Sequence, residues 1–186
     1  MTREYKDIDF LVGDIDVLRN MEHTRVMPMF SKSAISFLGR LSEALLHDSH
    51  AKAYGDVIAF AFWIRAVSLE HAAAHYGISE SRIGWGMAFH ITPSNIPIQF
   101  AVSLVYALVA GNASVIRISD KEFGQVDIVC GKINALLQHE FQALRPYICM
   151  IRYAHDNEAS QTLSAACDIR IIWGGDKTVE SIRQNP

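Results

Sequence analysis

Beyond Gly77 the chain repeats one unit, a short apolar run of strand type followed by a helical stretch, and this repetition constrains the fold more than any other feature. Met87 to Ile91 precedes Pro97 to Ala110, and Ser114 to Ile118 precedes Gly124 to His139. Tyr147 to Tyr153 precedes Asp156 to Ala166, and Ile169 to Trp173 precedes a helix opening at Asp176. Strands joined through helices with short connections are crossover units, which give parallel strands with helices on the sheet faces. The spacing therefore predicts an α/β fold with a parallel sheet. Pro97 suits a helix first turn, and Gly111 suits the left-handed position after the last turn. The helix between them is apolar all round and should be enclosed on most sides.

The preceding region reads differently. Ile35, Leu38, Leu41 and Leu45 recur at helical spacing, and Asp56 to Tyr76 reads as a second helix ended by Gly77. Residues 1–80 are thus expected to be mostly helical and residues 81–186 to form the α/β domain. The most apolar stretch, Ile96 to Ala110, is shorter than the roughly 20 residues of a membrane span and is interrupted by Gln99 and Ser103. No membrane span is expected, and the charged first residues lack a secretory apolar run, which makes the cytoplasm the expected location. The net charge is −3 with both signs interspersed, so no basic stripe suggests a nucleic-acid partner. Three cysteines, Cys130, Cys149 and Cys167, form no CxxC pair and read as free thiols. His71 and His75 share a helix face but have no third ligand in sequence, so no metal site is expected.

In open parallel sheets, ligands bind beyond the carboxyl ends of the strands. After the first run comes Thr92-Pro93-Ser94-Asn95-Ile96-Pro97. The Asn95 amide there has two readings, a helix cap or a donor to a developing oxyanion. After the second come Arg117, Ser119, Asp120 and Lys121, two cations and a hydroxyl that would suit a phosphate or ribose, or simply form a solvated loop. After the fourth come Gly174 and Gly175 ahead of a helix start, which allows close backbone approach to an anion and equally fits plain turn chemistry. The GxGxxG fingerprint is absent, which argues against an ordinary dinucleotide site.

The same residues also occur in a familiar order. The segments 89–97 and 108–117, together with Ala59 to Arg65 and Asp168 to Asp176, resemble the aldehyde-dehydrogenase superfamily. Within it they are most similar to the fatty acyl-CoA reductases of bacterial luminescence, with a serine before the asparagine and an arginine near the end of the second strand. The likeness runs from about Phe37 to the carboxyl end. It implies a Rossmann-like nucleotide-binding domain of aldehyde-dehydrogenase type, reducing an acyl-CoA to an aldehyde through a cysteine thioester, with NADPH as hydride donor. By this resemblance Asn95 stabilises the oxyanion, and Thr92, Pro93 and Ser94 line the cofactor. Arg117, Ser119 and Lys121 hold the adenosine ribose region, and Gly174 and Gly175 lie near the phosphates. Arg117 and Lys121 favour the 2′-phosphate of NADPH, whereas Asp120 leaves NADH open.

The sequence departs from that pattern in one respect. The family nucleophile lies well beyond the glycine turn, and Cys130, Cys149 and Cys167 all precede it. The chain is therefore expected to be an amino-terminal fragment, inactive alone, whose complete form acts on acyl-CoA. That form leaves room for an acyl-transferring or acyl-activating partner protein and for a homo-oligomer. Two rivals remain: a noncatalytic nucleotide-binding or interaction module, and a reductase of another activated acyl donor such as an acyl phosphate.

Overall fold

Each expected apolar run forms a strand with ends close to those read from sequence. The computed structural model describes residues 5, 7–76, 82–154 and 158–183. The strands are β1 (Asp9–Val12), β2 (Met87–Ile91), β3 (Ala113–Ile118), β4 (Ile148–Arg152) and β5 (Ile169–Ile172). They form one sheet in the order β1-β4-β3-β2-β5. All neighbours from β4 to β5 are parallel, and β1 closes the β4 edge antiparallel. The helices are α1 (Ile15–Asn20), α2 (Lys32–Leu46), α3 (Gly55–Trp63), α4 (Ala66–His75), α5 (Gln99–Val109), α6 (Gly124–Gln138), α7 (Ala159–Ala166) and α8 (Asp176–Arg183).

Alternation along the strands sorts the core into two layers, because successive side chains point to opposite faces. Ile116, Ile118, Ile148 and Met150 join Leu104 and Leu108 of α5 and Val129 and Ile133 of α6. Phe37, Leu41, Phe60 and Ile64 extend the same layer into α2 and α3, and Ser42 ties these helices by donating to the Ala61 carbonyl at 2.6 Å. Phe89, Val115, Cys149 and Ile151 face the other way, onto Leu18 of α1 and Ala159 and Leu163 of α7. With helices on both faces β2, β3 and β4 are nearly fully buried, which explains their largely apolar sequences, whereas β5 is half-buried along its length.

Three expectations need correction. The mostly helical first region also supplies β1, a four-residue edge strand whose half-exposed pattern is too short to stand out. The single helix expected over 56–76 is two, α3 and α4, bent by 52°. Arg65 is extended at the break and Ile64 is fully buried; the described residues stop before the expected terminator Gly77. Pro97 lies ahead of α5 rather than in its first turn. Two tight bonds, Gln99 N–H to Ile96 O at 3.2 Å and Ala101 N–H to Ile98 O at 3.0 Å, lead into the helix, and Ile98 is its cap residue. The start of the third helix at Asp156 falls outside the described residues, and α7 is assigned from Ala159.

Among the described residues no single helix is long and apolar enough to cross a membrane. Gly111 takes the left-handed backbone expected of it, with φ of +90°. The α5 helix is largely enclosed, with Tyr106 its prominent exposed aromatic.

Candidate functional site at the strand ends

The chain runs outward from β2 to β3 and β4, then returns to place β5 on the other side of β2. The loops leaving β2 and β5 therefore belong to neighbouring strands on either side of the reversal, and the space between such loops, the switch-point crevice of open sheets, is the usual ligand position. Ile91 pairs with Ile172, and Trp173 N–H continues the ladder to the Ile91 carbonyl at 2.9 Å. This pairing sets the Thr92–Asn95 loop beside the Gly174–Gly175 turn, although some eighty positions separate them in sequence.

Thr92 is a stitch rather than an open group. Its hydroxyl donates to the Arg117 carbonyl at 2.8 Å, fastening the β2 loop to the end of β3. Pro93 is half-buried, whereas Ser94 and Asn95 are exposed. No side chain caps α5, and the Asn95 amide has no hydrogen-bond partner among the described residues, so the capping role finds no support in the geometry. Gly174 and Gly175 are exposed. A side chain built at Gly175 would meet nothing within 4 Å, which leaves its backbone open to a bulky group.

The cationic residues lie one strand further along. Arg117 is half-buried, its guanidinium 5.2 Å from the centre of the Tyr153 ring. One Nη2 donates to the Tyr153 carbonyl at 3.4 Å. Arg117 thus leans toward β4, away from the glycine turn, and its other N–H groups have no partner among the described residues. Ser119 is turned inward, its oxygen accepting from Lys121 N–H at 3.1 Å and its hydroxyl donating to Asp120 Oδ1 at 3.4 Å. Lys121 and Asp120 are exposed. The expected residues hence form two groups, one over β2 and β5 and one beyond β3, linked by the Thr92 bond.

Sequence reasoning missed a buried polar group beneath this crevice. His90, Ser103 and Trp173 meet at the Ser103 hydroxyl. The available signals were a histidine inside an apolar strand and a serine inside an apolar helix. Arg152 was missed as well; it ends β4, donates to the Ser119 carbonyl at 3.1 Å, and has a buried Nη2 with no partner among the described residues.

The cysteines lie elsewhere. Cys149 is the second residue of β4 and Cys130 is inside α6, both buried. Cys167 precedes β5, at the opposite end of the sheet from the crevice. His71 and His75 are exposed on α4, and no three potential metal ligands converge among the described residues.

A parallel sheet wound in both directions from β2, with polar loops at the reversal, defines this chain as a doubly wound α/β protein with a switch-point crevice. Residues 55–186 match the family model described as Acyl-CoA reductase (LuxC), a match over more than half of the chain. The chain belongs to the LuxC acyl-CoA reductase family, in accord with the resemblance seen in its motifs. No curated protein and no solved structure gives a significant match.

Proposed function

We propose that this chain is the nicotinamide-binding part of an acyl-CoA reductase, with an aldehyde-dehydrogenase-type arrangement and NADPH as its hydride donor. The observation that carries the reading is the Ile91–Ile172 pairing, which sets the Asn95 loop against an open glycine turn at the switch point of a family member. The residues present suit a dinucleotide. The open backbone at Gly175 admits a phosphate, and α8 begins one residue later, so its first N–H groups add donors. Arg117, next to last in β3, retains guanidinium donors without partners among the described residues, where a dinucleotide laid across the crevice would carry its adenosine ribose. Lys121 adds a second cation nearby, favouring a 2′-phosphate, while Asp120 opposes it. When bound, the cofactor would supply hydride to a thioester.

Asn95 is the chain's contribution to the chemistry. An exposed amide without a competing partner among the described residues is free to donate to an oxygen that gains charge. The nucleophile is assigned to a cysteine outside these 186 residues. Burial pushes the Cys130 thiol up to about 12 and raises Cys149 as well, so neither supplies thiolate near neutrality. Cys167 is raised too, chiefly by burial, and is remote from Asn95. The chain should show no acyl-CoA-dependent oxidation of NADPH, followed by absorbance. Turnover that survives joint replacement of Cys130, Cys149 and Cys167 by Ala would refute the assignment, and loss with a single replacement would identify an internal nucleophile.

A further inference from the structure

The crevice has a polar floor. His90 is the fourth residue of β2 and wholly buried, and its Nδ1 lies 2.6 Å from the Ser103 hydroxyl oxygen on α5. The indole N–H of Trp173 reaches the same oxygen at 2.9 Å. In either neutral tautomer of His90 the indole proton keeps the serine oxygen as its acceptor. Burial holds the imidazole neutral, pushing its pKa down to about 3.

This cluster is costly for a plain packing element. A buried polar group is destabilising unless every hydrogen-bonding atom is satisfied, and apolar residues fill the same space without that cost. Here His90 Nε2 is left without a partner among the described residues. The cluster does, however, join the segments that flank the crevice. Ser103 sits on the helix that follows the Asn95 loop, and Trp173 is the residue from which the Gly174–Gly175 turn departs. The turn itself is exposed, with open space around Gly175, so the Trp173 indole is the side-chain anchor at its base.

We propose that Ser103, backed by His90, is a positioning residue that holds the Trp173 indole and thereby sets the Gly174–Gly175 turn beside the Asn95 loop. The role in cofactor binding rests on the nicotinamide reading above. The role in setting the turn does not. Neither residue touches the ligand in this account; both act through Trp173.

The test uses the full chain and amide and indole hydrogen exchange followed by nuclear magnetic resonance, with NADPH titrations alongside. The Trp173 indole proton should be protected in the parent. Ser103→Ala should speed exchange of that proton and of the Gly174 and Gly175 amides by roughly tenfold relative to β3 amides. It should weaken NADPH by a similar factor. Trp173→Phe removes the indole donor while leaving Ser103 to His90, and should loosen the turn and weaken NADPH to a like extent. The double variant should be no worse than either single one, because both remove the same link. A serine with only a packing role would lower thermal stability and leave the ratio of turn to β3 exchange unchanged; that result in both variants overturns the proposal. So does weakened binding in Trp173→Phe with normal binding in Ser103→Ala, which would mean that Trp173 meets the ligand directly. A parent that binds no NADPH would sink the cofactor reading, and the exchange ratios would still decide whether Ser103 sets the turn.

Discussion

Asn95 and His90 lie five positions apart in opposite surroundings, and the difference gives each a separate test. Asn95 is exposed and caps nothing, so Asn95→Ala should change folding stability by less than about 0.5 kcal/mol in urea denaturation. In a catalytically complete protein it should slow turnover by about 10²-fold or more. A stability loss above about 1 kcal/mol with normal turnover would restore the capping role. His90 is buried, and burial lowers its pKa from 6.5 to about 3. An unfolded chain takes up the proton below pH 6.5, whereas the folded chain resists it until about pH 3. The contribution is therefore complete above pH 6.5 and is lost as pH falls toward 3, by at most about 1.4 kcal/mol per pH unit. His90→Gln lacks this titration, so its stability should fall less steeply than the parent's between pH 6.5 and 4 in parallel urea titrations. Equal slopes would mean that the imidazole is hydrated in solution.

The elements differ in how openly they are written into the chain. β2, β3 and β4 are legible because strands covered on both faces need largely apolar runs such as Met87-Ala88-Phe89 and Ile148-Cys149-Met150-Ile151, and β5, half-buried at the end of the sheet, is legible from its three isoleucines. β1 is not, since an edge strand of four residues carries little pattern of its own and depends on β4 for its place. The break between α3 and α4 is equally silent, because it is the burial of Ile64 against distant residues that it serves. The loops of the site were legible as positions beyond strand ends, and Asn95 and Gly175 lie open there. The lean of Arg117 onto Tyr153 and the meeting of His90, Ser103 and Trp173 were not, because contacts spanning 13 to 70 positions leave no local spacing. Gly111 illustrates a legible element with a hidden second reason. Its positive φ was expected from its place after α5. A side chain there would also stand 2.0 Å from the Met27 carbonyl oxygen, where the 27–111 backbone bond fastens the first region to the α5–β3 turn. Gly111→Ala should cost about 2–3 kcal/mol, read by urea denaturation; a loss below about 1 kcal/mol would mean that this turn moves aside easily.

Across the whole molecule, the helical first region and the sheet are joined at several levels. β1 borders β4, and α2 and α3 extend the core layer of α5 and α6. Asp48, beyond α2, pairs with Lys132 of α6 at 2.6 Å. The sheet in turn brings the Asn95 loop, the glycine turn and the end of β3 to one side, which is where the proposed dinucleotide would lie. Family membership makes acyl-CoA reduction the activity to which this arrangement belongs. Cofactor binding is the part of that activity we propose for these 186 residues. Calorimetric titration of the folded chain with NADPH and with NADH tests it most directly. The account predicts saturable binding of one NADPH per chain, tighter than NADH, and weakened roughly tenfold or more by Arg117→Ala with little change for NADH. No saturable binding of either nucleotide to the folded chain would contradict the cofactor site. NADH bound at least as tightly as NADPH would contradict the assignment of Arg117 and Lys121 to a 2′-phosphate.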